Sequence, residues 1–155
     1  MKNSGNGYNF PMQNPIDMNA PSVQSAYRAA LLARQNSHSP YSGFKVGAAI
    51  KLKGNDEIFP GCNVENASYG ATICAERTAL VQGIVRHGGA AELEFIVIVT
   101  GESRATVPCA LCLQCLAEFA ADECAIVLGN ESGILKAFRL KDLLPHPFRA
   151  FTRSV

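Results

Sequence analysis

The chain has 155 residues, of which 48% are hydrophobic and 17% are charged, and its formal net charge is +1. This length allows one domain with a large buried core, and the near-neutral charge argues against a polymeric nucleic-acid partner. The most apolar run, residues 95–99, is much shorter than the roughly 20 residues that cross a membrane, and no secretory signal precedes it, so we expect a cytoplasmic protein that does not bind membranes.

The first part of the chain is predicted to be a tail followed by a helix. Residues 1–20 are rich in Asn, Pro, Gly and Met without periodicity, so we expect a flexible N-terminal tail before a single domain over 21–155. Apolar residues then recur at helical spacing from Val23, which predicts a helix capped by Ser22 that ends near Asn36.

A β-hairpin is predicted next. Apolar and polar residues alternate from Phe44 to Leu52, the pattern of a strand with one packed face. The turn residues Gly54 and Asn55 then return the chain as a second strand over residues 57–62.

The second half alternates helices and strands. One helix is predicted to begin at Cys74 and to end near Gly88, and another begins at Pro108, whose fixed φ suits a first turn. Between them, residues 95–99 are continuously apolar, as in a central strand covered on both faces. Two short strands and a last helical turn follow, over residues 125–128, 134–138 and 139–144. This order predicts one mixed sheet with helices on both faces.

Three cysteines at predicted helix N-termini are candidate metal ligands: Cys74, Cys109 and Cys112. Thiolates bind zinc, and the partial positive charge of a helix N-terminus favours the thiolate. A catalytic zinc site keeps one position for water, whereas a structural site has four protein ligands. The three cysteines therefore predict an open zinc site. Cys115, a further i+3 step along the same helix, is either a fourth ligand or a core residue.

Two charged residues follow Cys74. Glu76 is poorly placed as a ligand beside Cys74, but it can reach a water at the site, so we predict that it transfers protons between water and substrate. Three thiolates outweigh the charge of a zinc ion. We therefore expect Arg77 to offset this charge and to donate hydrogen bonds to the sulfurs.

The cysteine motifs, Cys74-Ala75-Glu76 and Pro108-Cys109-Ala110-Leu111-Cys112, match the signature of the zinc deaminases. Three further stretches, residues 40–49, 61–70 and 142–148, resemble the small, homotetrameric cytidine deaminases. The resemblance covers residues 22 to 148. It implies a three-layer α/β/α sandwich on a five-stranded mixed sheet. It also implies hydrolysis of cytidine and deoxycytidine to uridine and deoxyuridine, with release of ammonia, in pyrimidine salvage.

The resemblance further implies a role for each site residue. One zinc ion per subunit is held by Cys74, Cys109 and Cys112, with Glu76 as the proton shuttle. The implied contacts to the small-molecule nucleoside are Phe44 as a pocket wall, Asn63 and Glu65 at the ribose hydroxyls, and the Ala75 backbone at the base. Tyr69 and Phe148 are implied to contribute to the active site of a neighbouring subunit, so each site depends on the homotetramer. Without the resemblance, we would interpret Phe44 as a core residue of a strand and Phe148 as a residue that covers the core near the C-terminus. Asn63 and Glu65 would be interpreted as turn residues.

The chain departs from the family pattern after Cys109. The usual form is Pro-Cys-Gly-x-Cys-Arg-Gln. Ala110 stands in place of the glycine and Leu113 in place of the arginine, while Gln114 is kept. We expect Ala110 to be tolerated in helical backbone and the lost arginine to affect substrate or rate more than the metal site. Two alternatives stay open: a deaminase of another aminopyrimidine nucleoside, such as blasticidin S, and a non-catalytic zinc module closed by Cys115.

Overall fold

The computed structural model describes residues 14–149. The predicted tail over residues 1–20 and the predicted domain over residues 21–155 stay predictions, since residues 1–13 and 150–155 lie outside this range. Three residues just before the first helix, Ile16, Met18 and Ala20, pack against the core.

The helices and strands follow the predicted order. The helices are α1 Pro21–Gln35, α2 Ala75–His87, α3 Ala110–Ala117 and α4 Leu140–Leu143, with a 3-10 turn at Tyr69–Ala71. The strands are β1 Gly47–Leu52, β2 Ile58–Cys62, β3 Leu93–Val99, β4 Ala120–Asn130 and β5 Gly133–Arg139. No helix within residues 14–149 is both long and apolar enough to span a bilayer.

All five strands form one mixed sheet in the order β2-β1-β3-β4-β5. Strands β3 and β4 run parallel, and the other neighbouring pairs are antiparallel. Strand β3 therefore lies at the centre, where Ile96 pairs with Ile50 on one side and Ile126 on the other.

Helices cover both faces of this sheet. Phe95, Val97 and Val99 of β3 belong to the core cluster that includes α1. Ile96 and Ile98 belong to a second cluster, which includes residues of α2 and α3. Because successive strand residues point to opposite faces, this alternation places α1 on one face and α2 and α3 on the other. The predicted three-layer α/β/α sandwich is confirmed.

Strand β1 corrects the prediction of a strand from Phe44 with one packed face. The strand begins at Gly47, and Phe44 lies in the preceding loop with 39% of its surface exposed. Ile50 and Ala49, which point to opposite faces of β1, are both fully buried. The prediction was wrong because β1 is an inner strand, and helices cover it on both sides.

Two predicted helix starts are also corrected. The N-cap of α1 is Ala20 rather than Ser22, since Pro21 occupies the first helical position, which its fixed φ favours. Pro108 lies before the N-cap of α3, Cys109, instead of within the first turn. Helix α2 ends as predicted at Gly88, which is its C-cap and has a φ of +82°.

Candidate metal centre and adjoining cavity

The N-termini of α2 and α3 bring three cysteine sulfurs together. Cys74 is the N-cap of α2, Cys109 is the N-cap of α3, and Cys112 lies in the first turn of α3. The three Sγ atoms all lie within 4.8 Å of one another. Such a group of thiol ligands fits a tetrahedral zinc ion with one position left for water.

The electrostatics of the cluster also fit a cation. The interaction with the neighbouring Cys112 thiol lowers the pKa of Cys74, and the Arg77 guanidinium lowers it further. The same interaction raises the pKa of Cys112. A zinc ion would replace the protons of these thiols, because metal binding to cysteines releases protons.

Cys115 does not belong to the cluster. Among residues 14–149, the metal-binding group consists of Cys74, Cys109 and Cys112. Cys115, one turn further along α3, instead lines a groove between α2 and α3 with Arg77 and Gln114. The structure therefore does not support the alternative of a structural zinc site with Cys115 as the fourth ligand.

Glu76 is a buried carboxyl group beside the sulfurs. It lies in the first turn of α2 and is only 5% exposed. Burial raises its pKa, and the negative charge of Cys74 raises it further. A carboxyl group with a raised pKa takes up and releases protons closer to neutral pH than an exposed one.

Arg77 lies beside the cluster, on the side of the α2–α3 groove. Its Nη2 atom donates one hydrogen bond to the Thr72 carbonyl at 2.9 Å and another to the Cys74 sulfur at 3.7 Å. The interaction with the Cys74 thiolate raises the pKa of Arg77. The guanidinium is therefore placed to offset negative charge on the sulfurs.

A cavity of about 240 Å³ opens onto Glu76 and two of the sulfurs. Its lining residues are Phe44, Val46, Asn63, Thr72, Cys74, Glu76, Ile98, Thr100, Thr106, Val107 and Cys109. The structure thus places Phe44 and Asn63 in the same cavity as Glu76. Ala75 is fully buried at the start of α2, between a sulfur ligand and the carboxyl group.

Asn63 organises one wall of this cavity. Its side-chain oxygen accepts hydrogen bonds from the Val46 N–H at 2.8 Å and the Ser37 hydroxyl at 2.5 Å, while its amide nitrogen donates to the Phe44 carbonyl at 2.8 Å. Backbone N–H groups only donate and carbonyls only accept, so the orientation of the amide is fixed. One N–H of Asn63 has no role in these bonds. Asn63 therefore holds the loop that carries Phe44.

Glu65 anchors the neighbouring loop. Its carboxylate accepts hydrogen bonds from the backbone N–H groups of Tyr41 and Ser42, at 2.9 and 3.2 Å, and from the Ser42 hydroxyl. The Ser42 hydroxyl is the main cause of the lowered pKa of Glu65. Glu65 lines a second cavity of about 250 Å³ with Tyr41, Ser42, Tyr69 and Thr72. Because Thr72 lines both cavities, the second one adjoins the first.

The two aromatic residues predicted to serve a neighbouring subunit lie on the surface. Tyr69 is 75% exposed and makes an edge contact with Tyr41, with ring centroids 5.7 Å apart. Phe148 is 58% exposed, and its backbone is bonded to the side chain of Gln114. Neither residue lines the cavity that contains Glu76 in its own chain.

The two departures from the family pattern have local explanations. Ala110 is the first residue of α3, and no non-glycine residue within 14–149 has a positive φ, so the helical backbone on which the expected tolerance of alanine depends is present. Leu113 is 5% exposed and belongs to the core cluster under the sheet, so this position contributes packing instead of charge.

Several polar residues around the site were not predicted from the sequence. Ser37, Thr100 and Thr106 contact Asn63 or line the cavity, and Ser42 binds Glu65. Ser42 lies within residues 40–49, one of the stretches that resemble the cytidine deaminases, so that resemblance could have identified it as a site residue. Ser37 had no such signal, because its contact with Asn63 joins residues 26 positions apart.

Comparisons with known proteins agree with this geometry. Residues 21–128 match the family model described as "Cytidine and deoxycytidylate deaminase zinc-binding region". The chain is 38% identical over 127 residues to a cytidine deaminase of Halalkalibacterium halodurans. The matched region covers 82% of this chain and 94% of the relative. It is 39% identical over 116 residues to a probable cytidine deaminase of Dictyostelium discoideum, covering 74% and 77%. A crystal structure of cytidine deaminase from Burkholderia pseudomallei superposes with a TM-score of 0.75 at 38% identity, covering 81% of this chain and 98% of that one.

Proposed function

Because this chain belongs to the cytidine and deoxycytidylate deaminase family, we propose that it hydrolyses cytidine and deoxycytidine to uridine and deoxyuridine, with release of ammonia. The observation that carries the proposal is the cluster of three cysteine sulfurs beside the buried Glu76, both facing one cavity. A metal site and a proton-transfer group side by side are what a hydrolytic deamination needs.

Zinc is the cofactor, and Cys74, Cys109 and Cys112 would hold one ion per subunit. When bound, it supplies a Lewis acid that makes water a better nucleophile at neutral pH. The protein supports this chemistry through the N-termini of α2 and α3, which position the ligands, and through Arg77, which offsets their charge.

Glu76 would move the protons of the reaction. Water adds to the ring carbon that bears the amino group, and its proton passes to Glu76. Glu76 then gives this proton to the ring nitrogen. It next takes the second water proton from the new hydroxyl group and delivers it to the amino group, so a carbonyl group forms, the carbon–nitrogen bond breaks and ammonia leaves. One water is consumed and Glu76 regains its starting state. The raised pKa of this buried carboxyl group supports both the uptake and the return of the proton.

The two adjoining cavities support a nucleoside as the substrate. We assign the base to the cavity of Glu76, where Phe44 forms a wall and the Ala75 backbone lies at the start of α2. The sugar then extends past Asn63 towards Glu65, whose carboxylate accepts hydrogen bonds from hydroxyl groups. No Lys, Arg or His is among the described residues that line either cavity. Their absence, with the negative charge of Glu65, disfavours a phosphorylated nucleotide.

We further propose a homotetramer with shared sites. Tyr69 and Phe148 are exposed aromatic residues outside the Glu76 cavity of their own chain. This is the position expected of residues that contribute to the active site of a neighbouring subunit. The groove between α2 and α3 also exposes Ile73 and Val81, and exposed apolar surface of this kind favours association. We place the enzyme in the cytoplasm, in pyrimidine salvage. The six cysteines are free, as in proteins of reducing compartments.

A substrate panel tests the proposal. Zinc-loaded protein is assayed for ammonia release from cytidine, deoxycytidine, cytosine, deoxycytidylate and blasticidin S. We expect turnover of the two nucleosides and little from the free base, which lacks the sugar, or from the nucleotide. Turnover of blasticidin S alone would support the other nucleoside-deaminase function, and no turnover of any compound would refute the proposed chemistry.

A further inference from the structure

The side chain of Gln114 pairs with the backbone of Phe148. The Gln114 amide nitrogen donates to the Phe148 carbonyl at 2.6 Å, and the Phe148 N–H donates to the Gln114 amide oxygen at 3.0 Å. Both polar groups of one side-chain amide are thus used on one residue, 34 positions away along the chain. The backbone partners fix the orientation of the amide, since the N–H can only donate and the carbonyl can only accept.

Arg149 anchors the next residue to the same helix. Its Nη1 atom donates to the carbonyls of Ala117 and Ala120, at 2.6 and 3.0 Å, and its Nη2 atom pairs with Asp122 at 2.7 Å. Ala117 is the last residue of α3, where free carbonyl groups favour a cation. The backbone of Phe148 and the side chain of Arg149 are therefore tied to α3 and to the start of β4.

We propose that Gln114 is a positioning residue, which together with Arg149 holds Phe148 in place for the active site of a neighbouring subunit. This inference rests on the proposed function, in which Phe148 contacts a nucleoside bound by the neighbour. The N-terminus of α3 also carries Cys109, which is its N-cap, and Cys112, which lies in its first turn. Helix α3 would thus hold two metal ligands of its own site and also position Phe148, which contributes to the site of a neighbouring subunit.

A pair of matched variants tests the position of Gln114. Gln114→Met keeps a side chain of similar length but removes both hydrogen bonds. We expect about a tenfold rise in the KM for cytidine, the size expected from losing one or two hydrogen bonds, with kcat and zinc content nearly unchanged. Gln114→Glu keeps an acceptor for the Phe148 N–H and loses the donor, so its KM should lie between wild type and Gln114→Met. The control is Gln82→Met, an exposed glutamine on α2, which should behave as wild type.

Subunit mixing separates positioning from a general loss of stability. Gln114→Met subunits are reassembled with Glu76→Gln subunits, which are inactive but retain Gln114. In a mixed oligomer, an intact Glu76 can receive Phe148 from a subunit with intact Gln114, so a population of sites with the wild-type KM should appear. A KM in Gln114→Met equal to that of wild type, or no low-KM sites in the mixture, would overturn the inference.

Hydrogen exchange keeps the test independent of the proposed reaction. The Phe148 amide should exchange more slowly in wild type than in Gln114→Met, and equal rates would refute the pairing. If wild type releases no ammonia from any nucleoside, the proposed function fails, and with it the role of Gln114 at the neighbouring site. The exchange rates would then still report whether Gln114 holds Phe148.

Discussion

The Nη2 atom of Arg77 lies 3.7 Å from the Sγ atom of Cys74, and it also binds the Thr72 carbonyl at 2.9 Å. The two bonds join Arg77, in the first turn of α2, to the candidate ligand Cys74 and to Thr72, two residues before it. Within the described residues, the buried Nε atom of Arg77 has no hydrogen-bond partner. The guanidinium therefore interacts with the cluster through its charge and through Nη2.

Replacing Arg77 should weaken the metal site. Arg77→Gln removes the positive charge beside Cys74, and we expect a 10–100-fold increase in the rate of zinc loss to a chelator, with a lower kcat. The matched control is Arg86→Gln on the same helix, whose side chain is 68% exposed. Equal rates of zinc loss in Arg77→Gln and wild type would contradict the proposed charge compensation.

Metal removal should abolish activity and lower stability together. A chelator should eliminate ammonia release and lower the melting temperature, and added zinc should restore both, because an ion bound to the folded state stabilises it. Cys112→Ser should lose zinc, whereas Cys115→Ser should keep one equivalent per chain, since Cys115 lies outside the cluster. Loss of zinc from Cys115→Ser would instead support a four-cysteine site.

Asn63 should contribute to stability as well as to binding. Asn63→Ala leaves the Val46 N–H and the Phe44 carbonyl without their side-chain partner. We expect the free energy of unfolding, measured with denaturant, to fall by about 1–3 kcal/mol, and the KM for cytidine to rise. The control is Asn66→Ala in an exposed turn, which should change stability by less than about 0.5 kcal/mol. Equal stabilities for the two variants would contradict this account of Asn63.

A close contact between α1 and β1 should make Gly47 intolerant of a side chain. A Cβ atom at Gly47 would lie 1.9 Å from the Ala30 carbonyl oxygen and 2.7 Å from the Arg34 nitrogen, both backbone atoms of α1. We expect Gly47→Ala to destabilise the fold by about 1–3 kcal/mol or more. At Gly70 a Cβ atom would meet nothing within 4 Å, so Gly70→Ala serves as the control. Unchanged denaturant midpoints in both variants would contradict the contact.

The order of helices and strands could be predicted because it follows from local hydrophobic periodicity. The coverage of β1 could not, since it depends on α1 and α2 packing onto opposite faces of an inner strand. Phe44 shows the consequence: its alternation with Val46 continues the β1 pattern, yet the residue lies in the loop that Asn63 holds. A strand pattern alone does not show where pairing begins.

Part of the candidate site could likewise be predicted from the sequence, and part could not. The i+3 spacing of Cys109 and Cys112, and their place at a helix start, could be predicted from the sequence. That Cys74 joins them depends on the packing of α2 beside α3. Its place at a predicted helix N-terminus indicated this before the resemblance to cytidine deaminases did. The bonds from Ser37 to Asn63 and from Gln114 to Phe148 span 26 and 34 residues, and local patterns carry no signal for contacts of that range.

The most direct test is ammonia release from cytidine by zinc-loaded wild type and Glu76→Gln. The substitution keeps the size of the side chain, but an amide cannot accept and return a proton as a carboxyl group does. We predict rapid release by wild type and, in Glu76→Gln, one zinc per chain with a loss of kcat of at least about 10²–10⁴-fold. Near-normal turnover in the zinc-replete variant would show that Glu76 is not the proton shuttle and would contradict the proposed mechanism.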